Sequence, residues 1–153
     1  MAVARERMVV VLPIEQAMEL WTDPRRWSTW VDGFGRLVEE PQDWPEPGAK
    51  LVWESRPGGR GRVTEKVLER ELPVRFVVSV FEDRLLGRQT VAFAPHGEGT
   101  AVAIELDYAL TNDNLARKVV DVFFIRPRLR ESLRRTLRRF ATEAAEEAAL
   151  PEP

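Results

Sequence analysis

Residues 112–149 read NDNLARKVVDVFFIRPRLRESLRRTLRRFATEAAEEAA, a stretch with no glycine and one proline, Pro127. After Pro127, the residues Leu129, Leu133, Leu137, Phe140, Ala144 and Ala148 recur every three or four positions. That spacing lines one face of an α-helix with apolar groups. Such a face needs an apolar surface to receive it, and residues 1–110 must supply that surface. They read as mostly extended. The pairing predicts an α+β fold in which a curved antiparallel sheet wraps around one long C-terminal helix, leaving space between them for a ligand. Val119, Val120, Val122, Phe123, Phe124 and Ile125 are apolar almost all round. This predicts that the first half of the helix is buried on several sides as a cavity roof, with Pro127 bending it outward.

The rest of the chain fits that frame. Residues 3–12 alternate and then turn wholly apolar, as a first strand entering a core does. Pro13 suits the first turn of a helix, and Ile14, Ala17, Met18 and Trp21 repeat at helical spacing up to Thr22-Asp23-Pro24. A second short helical turn covers Arg25 to Trp30, with Trp27 and Trp30 three apart. Six strands follow, at about 34–40, 50–56, 60–71, 73–81, 86–94 and 100–110, punctuated by proline- and glycine-rich turns. The element order is β-α-α-β6-α, a helix-grip arrangement of about seven strands.

Composition removes several kinds of chemistry. The 153 residues, taken as a single domain over 1–153, include no cysteine and one histidine, His96. Disulfides, thiolate nucleophiles and thiolate metal sites are therefore excluded, and a histidine metal site is disfavoured. His96 sits in a Pro-His-Gly turn that projects outward. No metal and no cofactor is expected. The apolar run 8–12 is too short for a signal peptide or a membrane span, and a cytoplasmic location is expected. Nine basic residues against two acids between Arg117 and Arg139 make one helix face positive, while the whole chain carries −2. The face over Arg126 to Arg139 is either solvated or a contact for an acidic protein or anionic surface. Nucleic acid is disfavoured by the negative total charge and the lack of interleaved aromatics.

Val9-Val10-Val11-Leu12-Pro13-Ile14-Glu15, Leu20-Trp21-Thr22-Asp23-Pro24 and Trp27-Ser28-Thr29-Trp30 together resemble the opening of the START, polyketide cyclase and Bet v 1-like superfamily, SRPBCC. The resemblance implies a helix-grip fold with an apolar cavity that holds a lipid- or polyketide-like molecule. Within such a fold, the positions of Trp30, Trp53, Phe76, Tyr108, Val120 and Phe124 make them the expected lining, and Trp21 and Trp27 are expected to pack the helical base because large aromatics dominate core energetics. The resemblance also implies an alternative, a cyclase or dehydrase. Cyclase relatives carry serine and arginine two apart on one strand, and Thr64 and Lys66 are similar to that pair, with Tyr108 as a third polar group. Lysine is a flexible point charge where arginine offers a planar fork, so this match is the weaker one. Without an internal histidine or cysteine, acid–base work falls to Glu54, Glu65, Asp107 or Tyr108. A third alternative makes the arginine-rich helix a protein- or ribosome-contact surface.

Overall fold

A computed structural model of the chain describes residues 2–111 and 114–151, apart from the side chains of Leu115, Arg117, Val122 and Phe123. Strand β1 (Ala2–Val10) leads into helix α1 (Ile14–Trp21), a 3-10 turn (Pro24–Arg26) and the short helix α2 (Trp27–Trp30). Strands β2 (Phe34–Glu39), β3 (Lys50–Ser55), β4 (Arg62–Glu71), β5 (Arg75–Glu82), β6 (Leu85–His96) and β7 (Gly99–Leu110) follow in sequence. Helix α3 (Leu115–Val120), a π-helical turn (Asp121–Ile125) and helix α4 (Arg126–Ala149) complete the order.

The seven strands form one antiparallel sheet in the order β1-β7-β6-β5-β4-β3-β2, so each strand from β2 to β7 pairs with its neighbour in the chain and β1 closes onto β7. Local chemistry explains the joints. The Thr22 hydroxyl donates to the Met18 carbonyl at 3.0 Å, and the Asp23 carboxylate accepts the Arg25 backbone N–H at 3.2 Å, which ends α1 and starts the 3-10 turn. Between Phe34 and Arg36 the register of β2 shifts, and the residue there is Gly35. A Cβ on Gly35 would stand 2.8 Å from the Glu54 carbonyl oxygen, so this close strand contact requires glycine.

The side-chain period of two settles which residues face α4. Val63, Glu65 and Val67 share the inner face of β4 with Leu51 and Trp53 of β3 and Phe76, Val78 and Val80 of β5. Against them α4 sets Leu133, Leu137, Phe140 and Ala144, all buried, while Leu129 packs at the margin and Ala148 is exposed. Phe140 meets Trp21 and Trp30 edge-on, with ring centroids 5.1 and 5.2 Å away. Trp21 and Trp27 are the buried base of this core.

The helix start departs from expectation. The helix is irregular just before Pro127, as a π turn rather than as a break in the chain's path. Pro127 lies in the first turn of α4, directly after the π turn, and the wider turn accommodates its missing N–H. Nor do the described side chains of the first half form a buried roof. Val119, Val120 and Phe124 are 52%, 38% and 61% exposed. Asp121 takes the inward position instead, where its carboxylate accepts the Tyr108 hydroxyl at 2.6 Å and pairs with Arg126 at 3.1 Å. Ile125 is half-buried, and Val122 and Phe123, the remaining two side chains expected in the roof, lie outside the described residues.

Candidate functional site

Between the sheet and α4 lies an internal cavity of about 60 Å³. Trp21, Trp27 and Trp30 wall it on the helical side, and Trp53, Phe76, Val80 and Ile104 wall it on the sheet side. Its polar lining comes from Asp32, Arg60, Glu65, Gln89, Ser132 and Thr136. A larger hollow of about 710 Å³ exists beside α1, between Glu15 and Pro73. That hollow is an open trough with six charged side chains along it, and its volume belongs mostly to solvent. The interior cavity is the better site because buried polar groups converge there.

The most telling of these groups is the Trp30 indole N–H. Trp30 is 1% exposed, and its Nε1 has no hydrogen-bond partner among the described residues. The other tryptophans show what is ordinary here: Trp27 donates to the Trp21 carbonyl at 2.9 Å and Trp44 to the Thr22 carbonyl at 3.0 Å. Trp53 donates to Glu65 Oε2 at 2.6 Å. A buried donor left unpaired costs roughly 1–3 kcal/mol.

Glu65 is the second. Burial pushes its carboxyl above the usual glutamate range, and the Trp53 hydrogen bond and the Arg60 charge only partly offset this. Some of its surface stays accessible while the carboxyl itself is enclosed, as expected for a group at a cavity wall. Arg60, from the β3–β4 turn, lies across one side. Its guanidinium carbon is 5.2 Å from the Trp53 ring centroid, and its Nε donates to Glu82 Oε2 at 2.5 Å.

The opposite rim is a second ionic closure. Asp32, in the turn after α2, accepts two hydrogen bonds from Arg135 at 3.1 Å, one from Arg139 at 3.3 Å and the Ser132 hydroxyl at 2.7 Å. Its backbone N–H donates to Thr136 Oγ1 at 3.0 Å. Burial pushes the Asp32 carboxyl up, but the Arg135, Ser132 and Arg139 contacts outweigh it and hold the group below the usual aspartate range. This turn fixes Val31 and Asp32 on α4 at the cavity edge. It also accounts for part of the positive helix face: Arg134 pairs with Glu6 and Glu131, and Arg135 with Glu131.

Trp30, Trp53 and Phe76 all stand on the cavity wall. Tyr108 does not: it is buried farther along β7, its hydroxyl spent on Asp121, and burial together with that carboxylate pushes its pKa up to about 12. Val120 and Phe124 do not line the cavity either, because their positions point to solvent. Thr64 and Lys66 are the clearest correction. The alternation of β4 turns Val63, Glu65 and Val67 inward, so Thr64 and Lys66 occupy the outer face, Thr64 beside the exposed Phe81 and Lys66 itself exposed. They cannot touch a ligand held against α4. Sequence reasoning undervalued Glu65, whose alternation with two valines marked the inner face. It missed Arg60 and the ionic role of Asp32, whose segment 31–35 beside Trp30 reads from the sequence as a mobile gate.

Among the described residues no group of three or more metal-ligating side chains gathers, and no helix is long and apolar enough to cross a membrane. With the geometry in view, the family model for polyketide cyclase / dehydrase and lipid transport matches residues 1–145. The chain belongs to this polyketide cyclase/dehydrase family. The family fold, a hydrophobic-ligand fold of the SRPBCC type, is thus the fold seen here. The chain is similar to TTHA0849 from Thermus thermophilus at 20% identity, with TM-score 0.78, covering 97% of this chain and 100% of that one. It is similar to a Rhodobacter sphaeroides protein at 23% identity, TM-score 0.70, covering 98% and 95%. DynU16 of the dynemicin biosynthetic locus is similar at 17% identity and TM-score 0.64, covering 92% of this chain and 46% of DynU16. These likenesses establish the fold that the polyketide cyclase/dehydrase family shares. No curated protein matches the chain.

Proposed function

We propose that the chain binds an apolar, ring-bearing small molecule between its sheet and α4. The observation that carries this reading is the cavity itself: an aromatic-walled interior space between sheet and helix whose lining includes the buried Trp30 and Glu65, the latter with its carboxyl held above the usual glutamate range.

At about 60 Å³ the space is below the roughly 300 Å³ of ordinary ligand pockets. Binding therefore includes an opening step. Arg60 is the side chain best placed to move, since it is a third exposed and held by one carboxylate and one ring face. A catalytic reading through Thr64 and Lys66 has no support from their outward positions.

Native mass spectrometry of freshly purified protein, followed by tryptophan-fluorescence titration with 1-tetralone, 2-naphthol and a medium-chain fatty acid, tests the proposal. The expected result is a saturable response that Trp53→Phe diminishes and Lys66→Ala leaves unchanged. A protein that carries no adduct and responds to none of the probes overturns it.

A further inference from the structure

The sheet wall of the cavity holds more acid than base. Glu65 of β4 pairs with Val80 of β5, and Glu82 lies two residues farther along β5, so the two side chains are diagonal neighbours on the inner face of one strand pair. Both carboxyls are enclosed: Glu82 is 8% exposed, and that of Glu65 is buried at the cavity wall. Among the described residues one cation serves them. Arg60 donates from Nε to Glu82 Oε2 at 2.5 Å and holds its guanidinium carbon 5.2 Å from the centroid of the Trp53 ring. Glu65 accepts the Trp53 N–H at 2.6 Å and has no ion pair among the described residues. At the opposite rim Asp32 is matched by Arg135 and Arg139, which leaves Glu65 as the unmatched carboxyl of the lining.

An aromatic face flanked by carboxylates is a general receptor for an organic cation. Here the cation is the chain's own, carried on a side chain that is a third exposed and reaches in from the β3–β4 turn. We propose that Arg60 holds the place of a ligand's ammonium group, and that the cavity takes a ring-bearing amine. This rests on the cavity being a binding site. The ring of the amine takes the aromatic-walled space, and its ammonium lies on the Trp53 face between Glu65 and Glu82 once the Arg60 arm has swung into water.

Charge separates this ligand from a neutral one. A neutral ring compound also has to displace the arm, and it leaves the enclosed Glu82 carboxylate without its partner. An ammonium restores the charge it removes and meets Glu65 as well. Burial holds the Glu65 carboxyl above the usual glutamate range, and the Trp53 hydrogen bond and the Arg60 charge only partly offset this. A cation in direct contact is what such a group lacks.

Calorimetric titration at pH 7 compares 2-phenylethylamine with 2-phenylethanol, two probes that share a ring and chain and differ in the head group. Wild-type protein is expected to bind the amine about tenfold more tightly. Arg60→Ala removes the resident cation, and is expected to widen that preference to about a hundredfold. Glu65→Gln keeps an amide oxygen for the Trp53 N–H, and is expected to narrow it to about threefold. The wild-type protein supplies a further reading by NMR, independent of how the variants fold: the Arg60 Nε–H signal moves to the position of a free guanidinium as the amine saturates. An amine preference with that signal unmoved overturns the displacement of Arg60. Equal binding of the two probes by wild-type protein and by Arg60→Ala overturns the amine reading and leaves the binding reading intact. If neither protein binds either probe, both readings fall.

Discussion

Replacing Asp32 with asparagine keeps the side chain's shape and removes its charge, which isolates the ionic closure over the cavity edge. The carboxylate receives two bonds from Arg135, one from Arg139 and one from Ser132, at 2.7 to 3.3 Å. Hydrogen bonds to charged groups contribute roughly 1.5–3 kcal/mol each where water is excluded. Here Arg135 and Arg139 are each more than two-fifths exposed, so solvent screening reduces the total to about 1–2 kcal/mol. In a chain of this length 1 kcal/mol moves Tm by roughly 2–4 °C, and the variant should melt about 3–6 °C lower at pH 7. The difference depends on pH in a fixed direction. Because the folded pKa lies below the ordinary value of 3.8, the stabilisation is present above that value and disappears as pH falls through the folded one. Wild-type and variant melting curves should therefore converge in strong acid. Calorimetry or circular dichroism between pH 2 and pH 7 measures both effects. Equal Tm values at pH 7, or a gap that persists unchanged into acid, would refute the assignment of this stabilisation to the Asp32 charge.

Two further substitutions probe the core around the site. Phe140→Ala removes a ring with no exposed surface from between Trp21 and Trp30, and should cost about 3–5 kcal/mol, read as a lower urea midpoint at constant m. Tyr108→Phe withdraws a donor 2.6 Å from the buried Asp121 carboxylate, and should cost about 1–3 kcal/mol. Tyr108 is the chain's one tyrosine, so ultraviolet titration of the native protein reads it alone. The phenol should ionise near pH 12, late because burial and Asp121 both oppose the phenolate.

The order of elements was legible because each is marked by a local pattern: alternation for the strands, threes and fours for the helices, and proline and glycine at the joints. The inner face of β4 was legible as well. Val63, Glu65 and Val67 alternate, and a core needs the valines, so Glu65 must accompany them. Thr64 and Lys66, named only for the cyclase alternative, followed a two-residue likeness against the parity of the strand. The helix start was harder. An all-round apolar stretch ordinarily signals burial on every side. Here the inward position belongs to Asp121 because Tyr108, thirteen residues earlier on another element, offers it a hydroxyl. That choice leaves Val119, Val120 and Phe124 outward, and no periodicity within the helix encodes it. Arg60 and Asp32 are illegible for the same reason, since their partners Glu82 and Arg135 are 22 and 103 residues distant.

Those long-range ion pairs bear on how the binding proposed above would begin in a space of about 60 Å³. Each closure joins an arginine at least a third exposed to a mostly buried carboxylate. Releasing the Arg60 arm leaves its guanidinium in water, and costs on the order of 1 kcal/mol for a pair of this exposure. A ring-sized apolar ligand that buries on the order of 200 Å² gains roughly 5 kcal/mol from leaving water. That gain is larger than the cost of opening one closure, and the freedom the ligand loses on binding offsets much of what is left. An aliphatic plug in place of Arg60 would have to expose its own apolar surface to open, which opposes binding in proportion to its area. A salt-screened arm over the Trp53 face avoids that penalty, so the charged rim is compatible with an apolar cavity because it is the part of the wall that water can take back.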